Sequence, residues 1–154
     1  MHAQLIKSAT IIESLEASSK PQILAEMLRA AVDSGRLTAR STTALKKKLA
    51  EREALGSTGI GNGVAVPHVK TGSVSELFMI LGRSIEGVDY EAVDGQPVHT
   101  VFLLVAPSRQ EESHLQSLRW IATLARNPDF RRFVRDAPGE KEIRALLYEM
   151  SPAE

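Results

Sequence analysis

Arg52-Glu-Ala-Leu-Gly-Ser-Thr-Gly-Ile-Gly-Asn-Gly-Val-Ala-Val-Pro-His68 is the stretch around which the rest of the chain is organised. Gly56, Gly59, Gly61 and Gly63 lie between a charged helical segment and the short apolar run Val64-Ala-Val66. That density of glycine implies a backbone bent through conformations other residues avoid. The apolar run reads as a strand, and Pro67, which cannot donate to a sheet ladder, is expected to end it. His68 is thereby presented at a strand end beside a loop rich in free amides. Successive amides in such a loop can form a concave anion site, and Ser57, Thr58 and Asn62 add side-chain donors. The combination points to phosphate chemistry at an imidazole.

Outward from this loop, the flanks read as a single α/β domain spanning 1–154. Residues 1–17 carry Leu5, Ile6, Ile11, Ile12 and Leu15 without a clear period and read only as a packing segment. Ser19-Lys-Pro-Gln22 has the form of a capping box with an early proline. Ile23, Leu24, Met27, Leu28, Ala31 and Val32 then recur at helical spacing up to Gly35. A second helix is expected from near Ser41 to about Glu53, with Lys46-Lys-Lys48 on a solvated face. Glu76–Leu81 and Val98–Val105 read as strands, apolar enough to be buried on both faces, with Asp94-Gly95 as a turn between them. Ser108-Arg-Gln-Glu111 is a second capping box, predicting a helix from about Arg109 to Arg126. Its inward face would hold Leu115, Leu118, Ile121, Ala122 and Ala125, with His114 in the second turn. Asn127-Pro128 breaks the chain, Phe130–Val134 forms a short helix, and Gly139 precedes a last helix with Ile143, Leu146 and Leu147. The tail Ser151–Glu154 is expected to be loose. Interleaved strands and helices imply a mixed β-sheet flanked by helices on both faces.

Composition narrows the function classes. A chain of 154 residues buries roughly 68–70% of its unfolded surface, enough for a core. Lys plus Arg equals Asp plus Glu at 19 each, which argues against a broad footprint on nucleic acid. A hydrophobic fraction of 43% without an apolar run of about 18 residues argues against membrane insertion. The start lacks the pattern of a secretory signal and there are no cysteines, so a cytoplasmic location is expected. Gly59-Ile-Gly-Asn-Gly63 precedes a strand instead of following one into a helix, so it is not a dinucleotide fingerprint. His68, His99 and His114 have no metal-ligand spacing in sequence, and no cofactor or metal is expected.

The string Arg52–His68, followed downstream by Glu112-Ser-His114-Leu in a helical segment, resembles the enzyme IIA components of the fructose/mannitol class in the bacterial phosphoenolpyruvate-dependent phosphotransferase system. The nitrogen-regulatory members are the most similar, and the resemblance covers nearly the whole chain. It implies a phosphohistidine carrier with His68 as acceptor from an HPr-like phosphocarrier and His114 as the supporting histidine. Arg52, Ser57 and Thr58 would then contact phosphate or a partner. An enzyme IIB or a regulatory target protein would read the result. One departure is that many members carry glycine directly after the acceptor, where this chain has Val69, which bears on loop geometry and partner choice.

Each of these residues has a plainer reading. His68 and His114 fit structural histidines, Arg52 a helix-end cation, and Ser57 and Thr58 ordinary turn hydroxyls. Two other classes of function stay open alongside the relay: a phosphorylation-independent regulatory binding module, and a metal-assisted hydrolase using the histidines.

Overall fold

A computed structural model of the chain describes residues 2–152. Twelve elements follow one another: α1 (Ala3–Ser8), β1 (Thr10–Ile12), α2 (Lys20–Asp33), α3 (Ala39–Leu55), β2 (Gly59–Gly61), β3 (Val64–Ala65), β4 (His68–Thr71), β5 (Phe78–Val88), β6 (Val98–Pro107), α4 (Glu111–Arg126), α5 (Pro128–Asp136) and α6 (Glu140–Met150). The six strands form one open mixed sheet in the order β1-β5-β6-β3-β2, with β4 also paired to β6.

Alternation along the two long strands divides the core. Met79, Leu81, Phe102 and Leu104 face α1, α4, α5 and α6, while Phe78, Ile80, Val101, Leu103 and Val105 face α2 and α3. A strand's side chains alternate between faces, so apolar residues at both parities require helices on both sides, as expected from the sequence.

The segment that positions the site is the β3–β4 edge. Val64 pairs with Thr100 and Ala65 with Val101; beyond the break, His68 pairs with Leu104 and Val69 with Val105. Partner numbers differ by 36 on both sides of the break, so β3 and β4 are one parallel strand interrupted without loss of register. At the break the Val66 N–H donates to the Thr58 carbonyl at 2.9 Å instead of to β6. Pro67 has no N–H, yet its carbonyl still accepts from Leu104 at 3.0 Å. The strand expected to stop at Pro67 therefore pauses there and resumes at His68. Val69, in the position where glycine is common, is a buried member of the strand.

Several other boundaries differ from expectation for identifiable reasons. α2 shows half of the expected capping box: the Ser19 hydroxyl accepts from Gln22 N, with Pro21 in the first turn, but Gln22 Oε1 accepts from Ser18 N at 2.9 Å instead of from Ser19 N. α3 begins at Ala39 because Thr38, not Ser41, supplies the cap. β5 runs on to Val88 through Gly82 and Arg83, whose polarity hid the continuation, and shifts register between Arg83 and Val88. The expected Ser108 capping box does not form. The Ser108 N–H donates to Thr71 O, α4 starts at Glu111 without a side-chain cap, and His114 falls in its first turn. Leu115, read as inward, is exposed. Ser151, read as part of a loose tail, is held by Trp120 Nε1 at 3.0 Å and donates to Leu147 O at 2.6 Å; the rest of that tail beyond Pro152 lies outside the described residues.

Candidate functional site

His68 is the first residue of β4 and is half-buried. Its Nδ1 lies 2.8 Å from the Val66 carbonyl oxygen. A carbonyl can only accept, so Nδ1 carries the proton and Nε2 carries the lone pair. The strand break makes this possible, because it is Val66, released from the ladder, that turns its carbonyl back to the ring.

His114 reaches the same place from the first turn of α4. The two imidazole centroids are 5.5 Å apart with planes at 62°, an edge-to-face arrangement. His114 is 6% exposed, and its Nε2 is the single buried side-chain nitrogen or oxygen among the described residues without a hydrogen-bond partner. Burial, followed by the neighbouring His68 and Lys70 charges, pushes its pKa down to about 4 against a smaller opposing pull from Glu111. His114 is consequently neutral at pH 7. The positive end of the α4 dipole acts in the same direction, and it favours an anion close to the uncapped first turn. Lys70, two residues along β4 from His68, pairs with Glu111 of α4 at 3.0 Å across the exposed rim.

Among the described residues, the remaining candidates make no direct contact with either imidazole and connect to His68 only through the backbone of Thr58 and Val66. Arg52 closes the end of α3, its Nη1 donating to Gly56 O at 2.8 Å. The Ser57 hydroxyl accepts from Gly59 N at 3.0 Å and donates to Tyr90 O at 3.3 Å. Thr58 is buried, with its hydroxyl bonded to Glu53 Oε2 and 3.1 Å from the Tyr90 hydroxyl, while its N–H donates to Glu53 Oε1 at 3.0 Å. Lys20 completes the cluster, 3.1 Å from Glu53 Oε1 and 4.8 Å above the Tyr90 ring. Burial pushes the Tyr90 hydroxyl well above its ordinary value, so it stays protonated and able to donate.

Glu53 and Tyr90 were not singled out by sequence reasoning. The available signal was Glu53 itself, an acid in the last turn of a helix, where the dipole disfavours it. Its carboxylate anchors Thr58, and the Thr58 carbonyl in turn receives the Val66 N–H, so the cluster reaches the imidazole through two backbone steps. Among the described residues no group of three or more His, Asp or Glu is placed to hold a metal ion, and no helix is long and apolar enough to cross a membrane.

An open mixed sheet of six strands between two layers of helices is the fold this chain shares with a solved phosphotransferase-system IIA protein. The chain belongs to the family described as phosphoenolpyruvate-dependent sugar phosphotransferase system, EIIA 2, whose model matches residues 4–150. Within that family it is similar to the nitrogen regulatory protein of Bradyrhizobium diazoefficiens, 36% identical over 93% of this chain and 92% of the relative. It is 37% identical, over 91% of this chain, to the fructose-specific EIIABC component of Bacillus subtilis, of which it spans 22% of the length. Among solved structures it is similar to the nitrogen regulatory protein IIA-Ntr of Neisseria meningitidis, with a TM-score of 0.85, 28% identity, and coverage of 94% of this chain and 99% of that one. The chain is therefore a phosphotransferase-system component of the fructose/mannitol class, with nitrogen-regulatory relatives.

Proposed function

We propose that the chain, read as one IIA-type unit over 1–154, is a cytoplasmic phosphohistidine carrier that accepts a phosphoryl group from an HPr-like phosphocarrier on His68 Nε2. The observation that carries this reading is the bond from His68 Nδ1 to the Val66 carbonyl, which leaves the lone pair on Nε2. In the transfer, that lone pair forms a bond to phosphorus as the nitrogen–phosphorus bond of the donor phosphohistidine breaks. The electron pair of the broken bond returns to the donor imidazole, and the His68 Nδ1 proton stays in its hydrogen bond to Val66 O throughout.

Such a step needs positioning and donors around a loose, in-line transition state, and no metal. His114 Nε2, buried and unpartnered, supplies a donor to a phosphoryl oxygen in the tautomer that carries its proton there. Arg52 uses one N–H on Gly56 and keeps others for the phosphate or for acidic groups of a partner. Ser57 and Thr58, whose hydroxyls are committed to Tyr90 and Glu53, serve chiefly by fixing the loop.

Onward use divides between transfer to an enzyme IIB and regulation of a target protein. The names of the relatives support both, since one is an EIIABC component and the other a nitrogen regulatory protein. A phosphoryl group adds about −1.5 to −2 charge, enough to switch docking at an exposed site.

Incubation with phosphoenolpyruvate, enzyme I and HPr tests the carrier. Acid-labile label is expected on the wild type and not on His68→Ala; label retained on His68→Ala rejects the acceptor. Capture of partners by phosphorylated and unphosphorylated protein then separates relay from switch, since an identical set in both states contradicts regulation by phosphate.

A further inference from the structure

A cleft of about 510 Å³ opens between the β2–β3 turn, the connection into β6, and α5. It lies toward the opposite end of β6 from the paired imidazoles. His99 lines it at the start of β6, whereas His68 pairs with Leu104, five residues further on, or about 16 Å at a strand rise of 3.3 Å.

One wall is strongly basic. Arg131, Arg132 and Arg135 all line it, presented from one side of α5 at spacings that place them on adjacent turns. The positive character is not a helix-end effect, because Asn127 Oδ1 already accepts from the first-turn amides of Asp129 and Phe130. Nor are the guanidiniums consumed. Arg131 uses Nη1 on Ala125 O at 2.7 Å, Arg132 uses Nη2 on Asp129 at 3.2 Å, and Arg135 has no hydrogen bond or ion pair with another described residue.

The opposite wall offers one carboxylate, Asp94, and its oxygens are turned to backbone. Oδ2 accepts from Asn62 N at 2.9 Å and Oδ1 from Gln96 N at 3.1 Å. Three arginines against Asp94 leave the lining at a formal +2, of which the Asp129 carboxylate paired with Arg132 offsets one unit, in a chain whose total is zero. His99 stands beside them, its ring fixed by Nδ1–H donating to Ser84 O at 2.9 Å.

We infer that this cleft binds a small phosphate ester or polyphosphate carrying at least two negative charges, separately from any phosphoryl group on His68. Planar guanidinium forks match phosphate oxygens two at a time, so three on one wall favour a multiply charged phosphate over a single carboxylate. The volume is that of a metabolite site, and the zero net charge of the chain argues against a broad footprint for a polymeric phosphate backbone.

The probe is inorganic pyrophosphate, titrated into ¹⁵N-labelled protein at about 150 mM salt with sulfate as comparison. Amide shifts are expected at residues 62–64, 94–100 and 128–135, with pyrophosphate at least about tenfold tighter than sulfate. His68→Ala should bind equally well. The double variant Arg132→Glu/Arg135→Glu, neither of whose guanidiniums holds backbone, should weaken binding at least about tenfold, and Arg119→Ala should not. Shifts centred on 68–71 and 111–114, an equal response to sulfate, or unchanged affinity in the charge-reversed variant would each overturn the assignment.

Discussion

His68 and His114 meet edge to face at 5.5 Å, yet they enter that contact in different states of satisfaction: the first ring is tied to Val66, and the second is buried with a free nitrogen. A buried imidazole without a partner resists protonation, and a second imidazole beside it adds to the resistance.

This difference sets a pH dependence. The folded His114 pKa is about 4, below the unfolded value of about 6.5. Between those values the unfolded chain binds more protons, so stability is highest above pH 6.5 and falls as the pH drops toward 4. The gap corresponds to at most about 3 kcal/mol. Urea unfolding between pH 7 and 4 should show a steeper loss in the wild type than in His114→Gln. NMR titration should place the His114 midpoint near 4, and a midpoint near 6.5 would contradict the buried, unpaired geometry. In the phosphoryl-transfer assay His114→Ala should still be labelled, but more slowly; an unchanged rate removes His114 from the site.

Thr58 offers a separate test, because its hydroxyl joins Glu53 and Tyr90 inside the protein. Thr58→Val keeps the shape and leaves a largely buried carboxylate short of a donor, a loss of about 1–3 kcal/mol. Thr58→Ser should recover most of it. Because the Thr58 carbonyl holds Val66 N, the valine variant should also move the amide resonances of residues 64–68. Equal denaturation midpoints for valine and wild type would show that the hydroxyl is dispensable.

How far the sequence reveals this arrangement depends on the range of the interactions. Helix α2 was legible because Ser19, Pro21 and an apolar stripe are local signals that agree. The glycine loop and proline placed His68 at a strand boundary, whereas its reading as a site residue and its pairing with His114 came from resemblance. β4 was not legible, since a proline in a strand ordinarily ends it, and what lets the strand resume is the partner β6, with its register fixed some 36 residues away. β1 was hidden for a similar reason: three residues with no period of their own become a strand only against Ile80–Gly82. The Glu53–Tyr90 pair joins two positions 37 residues apart, and no local pattern announces such a partner.

Arg83 carries a third expectation. It is 3% exposed, and its guanidinium donates to the carbonyls of Glu13 at 2.8 Å, Val134 at 3.1 Å and Ala137, binding the end of α5 to the segment after β1. Arg83→Met removes three donors at once and should cost about 3 kcal/mol or more, read as a lowered denaturant midpoint. Arg83→Lys should rescue little, because a single ammonium does not reproduce the planar fork. A lysine variant as stable as the wild type would mean that charge alone, and not geometry, matters there.

Gly59 is required for space. A Cβ built on it would lie 2.8 Å from the Cβ and 2.9 Å from the Cα of Ala92, while the Gly59 carbonyl is already held by Val93 N at 2.9 Å. The alanine variant can relieve this only by pushing the 90–93 segment away, which strains the Ser57 and Thr58 bonds to Tyr90 as well. Overpacking of this kind costs about 1–3 kcal/mol. Gly59→Ala should therefore lower the unfolding midpoint and slow phosphorylation together, since the displaced segment braces the loop that holds His68. Adding Ala92→Gly takes away the methyl group that the new side chain meets but leaves the backbone of residue 92 in its path, so the double variant should recover part of the stability and not all of it. Full recovery would place the whole conflict in the Ala92 side chain, and a neutral single variant would mean the two segments are not packed as closely as 2.8 Å implies.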